Sequence, residues 1–65
     1  MAESSFGKNL KRIREERGLT QTQLAQMITT NRVSISEWEN GVRYPQVIWV
    51  YRLAEKLGVK PSDLL

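Results

Sequence analysis

Only Thr29-Thr30-Asn31 separates two short helical patterns in this chain, and that spacing constrains the fold more than any other feature. The first pattern opens on Thr20-Gln21-Thr22-Gln23, a T-x-x-Q capping box in which Thr20 and Gln23 satisfy exposed backbone N–H groups reciprocally. Its inward side carries Leu24, Ala25 and Ile28. The second pattern runs from about Arg32 to Asn40, with Asn31 as N-cap and Gly41 as a left-handed stop. Only Ile35 and Trp38 are large and apolar on its core side; Arg32, Val33, Ser36, Glu37 and Asn40 occupy the other. A small residue at Ala25 lets the two helices approach closely, and Leu24, Ile28, Ile35 and Trp38 fix their angle. The polar side of the second helix is then expected to stand clear of the domain.

Elsewhere the apolar spacing is helical wherever it is regular. A helix is predicted from about Ser5 to Arg17, with Ser4 or Ser5 as N-cap, an apolar stripe of Phe6, Leu10 and Ile13, and Gly18 as its stop. Pro45 blocks continuation of the third helix. A fourth helix follows from about Val47 to Leu57, burying Val50, Leu53, Ala54 and Leu57 with Val47 at its start, and Gly58 ends it. A last turn opens at Pro61, with Ser62 and Asp63 near its positive end. The final Leu64-Leu65 is either a core-sealing pair or the edge of a longer protein. These elements describe one all-α, five-helix domain over residues 1–65.

Composition removes most enzyme chemistry. The chain has 65 residues, no cysteine and no histidine. At this size roughly 60% of the unfolded surface is buried, enough for one core but not for a deep substrate cleft. Disulfides, thiolate or imidazole metal sites and histidine acid–base catalysis are all excluded. The expectation is therefore a non-enzyme with no metal and no cofactor. The longest wholly apolar run, Val47 to Val50, is far short of the ~20 residues that span a bilayer. The opening Met-Ala-Glu-Ser-Ser lacks a basic-then-apolar signal, which suggests a cytoplasmic protein. A balance of 10 Lys plus Arg against 7 Asp plus Glu permits a polyanionic partner.

A protruding helix suits the major groove of B-DNA, which is about 12 Å wide and shows a distinct donor and acceptor pattern for each base pair. The Gln21–Asn40 segment is a helix-turn-helix pattern. Phe6-Gly7, Leu10, Arg14, Gly18-Leu19-Thr20-Gln21 and Gln23-Leu24-Ala25 stand in one register with Ile35-Ser36-Glu37-Trp38-Glu39-Asn40-Gly41 and Pro45. Leu53-Ala54-Glu55-Lys56-Leu57-Gly58-Val59 and Asp63-Leu64-Leu65 complete the set. Together they resemble the phage repressor and Cro-like (XRE-type) helix-turn-helix domains over nearly the whole chain.

The resemblance implies a compact lambda-repressor-like fold, with its motif at about 21–40, in a transcriptional regulator of the repressor kind. It implies double-stranded DNA as partner, a near-palindromic operator and a homodimer on it. Carried over by position, Asn31, Arg32, Val33 and Glu37 would meet base edges. Thr20, Gln21, Ser36, Asn40 and Arg43 would hold the phosphate backbone. Arg14 and Glu39 match an internal ion pair. The sequence departs from the family at the turn: Thr29 stands where glycine is common, and Thr30 where an apolar residue is. Either the turn adopts another geometry or Thr29 carries strain.

Simpler readings stand beside these. Glu37 either accepts from a cytosine amine, orients Arg32, repels wrong bases or faces water. Lys8, Lys11, Arg12 and Arg17 form a solvated face balanced by Glu15 and Glu16. Ile48, Trp49 and Arg52 are candidates for a dimer or partner surface; the alternative for Trp49 is that it covers the edge of a thin core. If that surface is the main one, the domain is a protein-interaction or antitoxin-like adaptor on the same scaffold.

Overall fold

The computed structural model describes residues 5–65. Local signals set the helices: α1 (Phe6–Glu16), α2 (Gln21–Ile28), α3 (Arg32–Glu39), α4 (Val47–Leu57) and α5 (Pro61–Leu64). The capping box of α2 is formed as expected. The Thr20 hydroxyl accepts from the Gln23 N–H at 3.0 Å, and the Gln23 amide oxygen accepts from the Thr20 N–H at 2.8 Å. At the start of α3 the Asn31 side-chain oxygen accepts from the Ser34 N–H at 2.9 Å.

Ser5 holds the N-cap position of α1 without making a side-chain cap. Its hydroxyl instead donates to the Leu65 carbonyl at 3.2 Å, and the Asn9 amide donates to the Leu64 carbonyl at 3.2 Å. Ser4, the other expected cap, lies outside the described residues. Leu64 is buried and Leu65 is 60% exposed, so one leucine of the terminal pair seals the core. Arg17 is exposed and paired with Glu16 as expected, and in addition its Nε donates to the Leu57 carbonyl at 2.8 Å and caps the end of α4.

Phe6, Leu10, Leu24, Ile35, Leu53 and Leu64 are the largest fully buried side chains, drawn from all five helices. α2 packs on α3, α4 on α5, and α1 lies across α3 and α5. Gly7 permits that last arrangement. A Cβ at Gly7 would sit 2.5 Å from the Glu39 carbonyl oxygen and 2.6 Å from that of Trp38, so only glycine lets α1 rest on the last turn of α3. Val47 was expected at the head of the buried stripe of α4 but is 68% exposed. In the same turn Val50 is 3% exposed and Trp49 packs against the core, so Val47 sits at the margin of the stripe and not over the core.

Between α2 and α3, Thr29 is left-handed at φ 64° and ψ 52°. The Thr30 N–H then bonds to the Ala25 carbonyl at 2.8 Å. This is the strained alternative: a β-branched residue in that region costs about 1–3 kcal/mol, which the packing of α2 on α3 must offset. Among the described residues, no helix is long and apolar enough to cross a membrane.

Candidate nucleic-acid interface

The position of α3 is set by a buried ion pair at its C-terminal end. Arg14 donates from Nε to Glu39 Oε2 at 2.6 Å and from Nη2 to Oε1 at 3.1 Å, a bidentate contact. Its remaining Nη1 donates to the Leu19 carbonyl at 2.7 Å, and the Gln21 side-chain amide donates to Glu39 Oε1 at 3.0 Å. α1, the α1–α2 loop, the start of α2 and the end of α3 therefore meet at one ion pair, the loop through Arg14 and the start of α2 through Glu39. The hydrogen bond to Glu39 raises the Arg14 pKa against the opposing effect of burial, with smaller help from the charges of Glu39 and Glu15. The pair expected from the resemblance is thus present. The Gln21 side chain, expected from the resemblance to meet a phosphate, braces Glu39 instead, while its backbone N–H stays at the positive start of α2.

With its C-terminal end anchored, α3 presents its other side outward. Asn31, Arg32 and Val33 are exposed at its N-terminal end; Ser36 and Glu37 are half-buried, and Asn40 is exposed. The face is most open at its N-terminal end, and the loop after α3 folds back beside Glu37. Asn31 uses its side-chain oxygen as the cap and keeps its NH2 for another acceptor. The Asn40 amide donates to the Ser36 hydroxyl at 3.3 Å, joining two of the expected phosphate-holding groups. Thr20 is exposed at the start of α2, its hydroxyl accepting from Gln23 and keeping its own proton to donate. Arg43, on the loop after α3, lies 3.5 Å from Glu37 between Nη1 and Oε1.

The candidate partner surface divides. Trp49 is half-buried, packs against the core and sits with its ring 5.8 Å from that of Trp38. The Arg52 guanidinium covers it at 5.1 Å, a cation–π arrangement. Trp49 therefore lines the edge of the core. Ile48 is 49% exposed and shares the outer side of α4 with Val47 and Tyr51, both exposed. Val42 and Tyr44, on the loop before α4, are exposed too, and Tyr44 leans on Phe6 with ring centroids 5.1 Å apart. Sequence reasoning missed Val42, Tyr44, the Leu19 carbonyl and the brace from Gln21. The exposed apolar residues carried a signal, since Val42 and Tyr44 precede Pro45 outside any helical stripe. Among the described residues, no group of three or more acids is placed to share a metal ion.

Comparison with known proteins agrees with this geometry. A family model described as "Helix-turn-helix domain" matches residues 7–65. The chain is 39% identical over 59 residues to the uncharacterized HTH-type transcriptional regulator y4dJ of Sinorhizobium fredii (strain NBRC 101917 / NGR234), covering 91% of this chain and 77% of that protein. Two longer regulators also match: the transcriptional activator BcrR of Enterococcus faecalis at 33% identity and the transcriptional repressor RghR of Bacillus subtilis (strain 168) at 40%. The match takes in 92% and 94% of this chain but only 29% and 46% of their lengths.

Among solved structures, the restriction-modification controller protein C.AhdI from Aeromonas hydrophila superposes with TM-score 0.89 at 29% identity, over 95% of this chain and 90% of that one. The P22 c2 repressor in complex with synthetic operator 9T superposes with TM-score 0.87 at 27% identity, over 92% and 91%. This chain belongs to the helix-turn-helix domain family, with the architecture of its phage repressor and Cro-like (XRE-type) members.

Proposed function

We propose that this domain binds specific sequences of double-stranded DNA as the reading unit of a cytoplasmic transcriptional regulator, inserting α3 into the major groove. One observation carries this: a polar helix face exposed at Asn31, Arg32, Val33 and Asn40 while the same helix is anchored from behind by the Arg14–Glu39–Gln21 ties. Such a face enters a groove without rearranging the domain, so little binding energy is lost to ordering. The likeness to an operator-bound repressor supports the same docking.

In this arrangement Arg32 donates two hydrogen bonds to guanine O6 and N7, worth about 1–3 kcal/mol of discrimination. Val33 meets a thymine methyl, Glu37 accepts from a cytosine N4 amine, and Asn31 offers its NH2. Thr20, the Gln21 N–H, Ser36, Asn40 and Arg43 hold phosphates on either side, which sets register without reading sequence. Repression follows if the bound site overlaps that of the transcription machinery. A second copy docks through the outer side of α4, with Ile48 at its centre and Trp49 and Arg52 at its edge, so that two half-site contacts add. An adaptor role for the α4 surface alone is not favoured, because it leaves the anchored α3 face without a purpose.

Selection of bound sequences from a random duplex pool at physiological salt tests this. The expected result is a two-fold-symmetric consensus with half-sites centred about one helical turn apart, ~10–10.5 bp, or a multiple of it. Recovery of no consensus would contradict sequence-specific reading.

A further inference from the structure

Resting on that reading, we propose that Glu37 holds Arg43 in reserve, so that the grip on the DNA backbone tightens only where Glu37 finds a base to bond. The loop after α3 is built to keep these two together. The Glu37 backbone carbonyl accepts from the Val42 N–H at 2.9 Å and from the Arg43 N–H at 3.3 Å, and Gly41 turns the chain back at φ 73°. Backbone bonds thus return Arg43 to the side of Glu37 whatever its side chain does. The side chains then meet at 3.5 Å, with Arg43 70% exposed and Glu37 32% exposed.

Between Asn31 and Arg43 the acids are Glu37 and Glu39, and Glu39 is committed to Arg14. Glu37 is therefore the carboxylate on the outer face of α3, placed between the residues proposed to read bases and the arginine proposed to hold phosphate. A carboxylate only accepts hydrogen bonds. Against base edges that also accept, it has no partner but Arg43 and keeps it, which withholds one cation from the backbone. Against a cytosine amine it gains a donor of its own, and Arg43, at the end of a long exposed side chain, turns to a phosphate. Glu37 is in this sense a positioning residue for Arg43 as well as a base contact. An exposed pair is weak enough to exchange in this way, since breaking one shifts an equilibrium by about twofold to fivefold.

A double-mutant cycle tests the coupling, using a mixed-sequence duplex and the consensus duplex from the pool selection, titrated over a range of salt. Both residues are at the surface, and unchanged helical circular dichroism and melting confirm that each variant is folded. Glu37→Gln is expected to tighten mixed-sequence binding about twofold to fivefold, to leave consensus binding no tighter, and so to lower sequence preference by a similar factor. Its salt slope is expected to steepen by about one phosphate, ~0.9 in the log–log plot. On an Arg43→Ala background both changes should vanish, and on Arg43→Lys they should return. An equal gain on the Arg43→Ala background would overturn the coupling and leave Glu37 a simple repeller of DNA. Failure of the wild-type chain to bind any duplex would instead remove the DNA-reading role itself, and the coupling with it.

Discussion

Two arginine–glutamate pairs touch α3, and they differ in almost every respect except their chemistry. Arg14–Glu39 is buried, bidentate and braced by Gln21 and by the Leu19 carbonyl. Glu37–Arg43 is a single contact at 3.5 Å in water. Within the fold the first is fixed, because losing either partner strands a charge away from solvent. The second can be exchanged, because water or phosphate replaces either partner at little cost. Anchoring and the proposed reading thus fall on opposite sides of one short helix, and it is burial that separates them.

Removing one partner of the buried pair should break this contrast most severely. Glu39→Ala or Arg14→Ala is expected to cost about 3–5 kcal/mol, comparable with the whole stability of a small domain, and urea unfolding will read it directly. A loss under about 1 kcal/mol would mean that the pair is no anchor. A smaller change is expected at the turn that sets the tilt of α3. Thr29→Gly relieves about 1–3 kcal/mol of backbone strain at φ 64° and returns part of it as chain entropy, so the melting temperature should rise for a net gain of about 1 kcal/mol. The smallest effect belongs to an exposed pair far from the DNA face. Arg12 and Glu16 lie 3.5 Å apart on α1 with both side chains more than half exposed, and Arg12→Ala should cost no more than about 0.5 kcal/mol.

How far the sequence made this legible follows the range of each interaction. The helices could be placed because caps and left-handed glycines act within a few residues: Thr20 with Gln23, Asn31 with Ser34, Gly18 at φ 69° and Gly58 at φ 72°. Features that depend on distant partners were harder. The Arg14–Glu39 pair could be named only through a family resemblance, and the Gln21 brace on Glu39 leaves no periodic trace. Ser5 reads as a helix cap until the Leu65 carbonyl is brought beside it. Val47 stands three residues before the buried Val50, yet spacing alone does not say how wide the buried stripe of α4 is, and Val47 falls at its margin. For Thr29 the residue type left two geometries open, and the packing of α2 on α3 selected the strained one.

On the proposed function, the outer face of α3 reads bases while the rest of the domain holds it in place. Repeating the pool selection with Arg32→Ala tests it most directly, since Arg32 is exposed and makes no hydrogen bond or ion pair among the described residues. The predicted result is a consensus that loses preference at one base pair in each half-site and keeps the others, with a loss of about 1–3 kcal/mol on the original site. A consensus identical to that of the wild-type chain, or the same loss of affinity on every sequence, would contradict it.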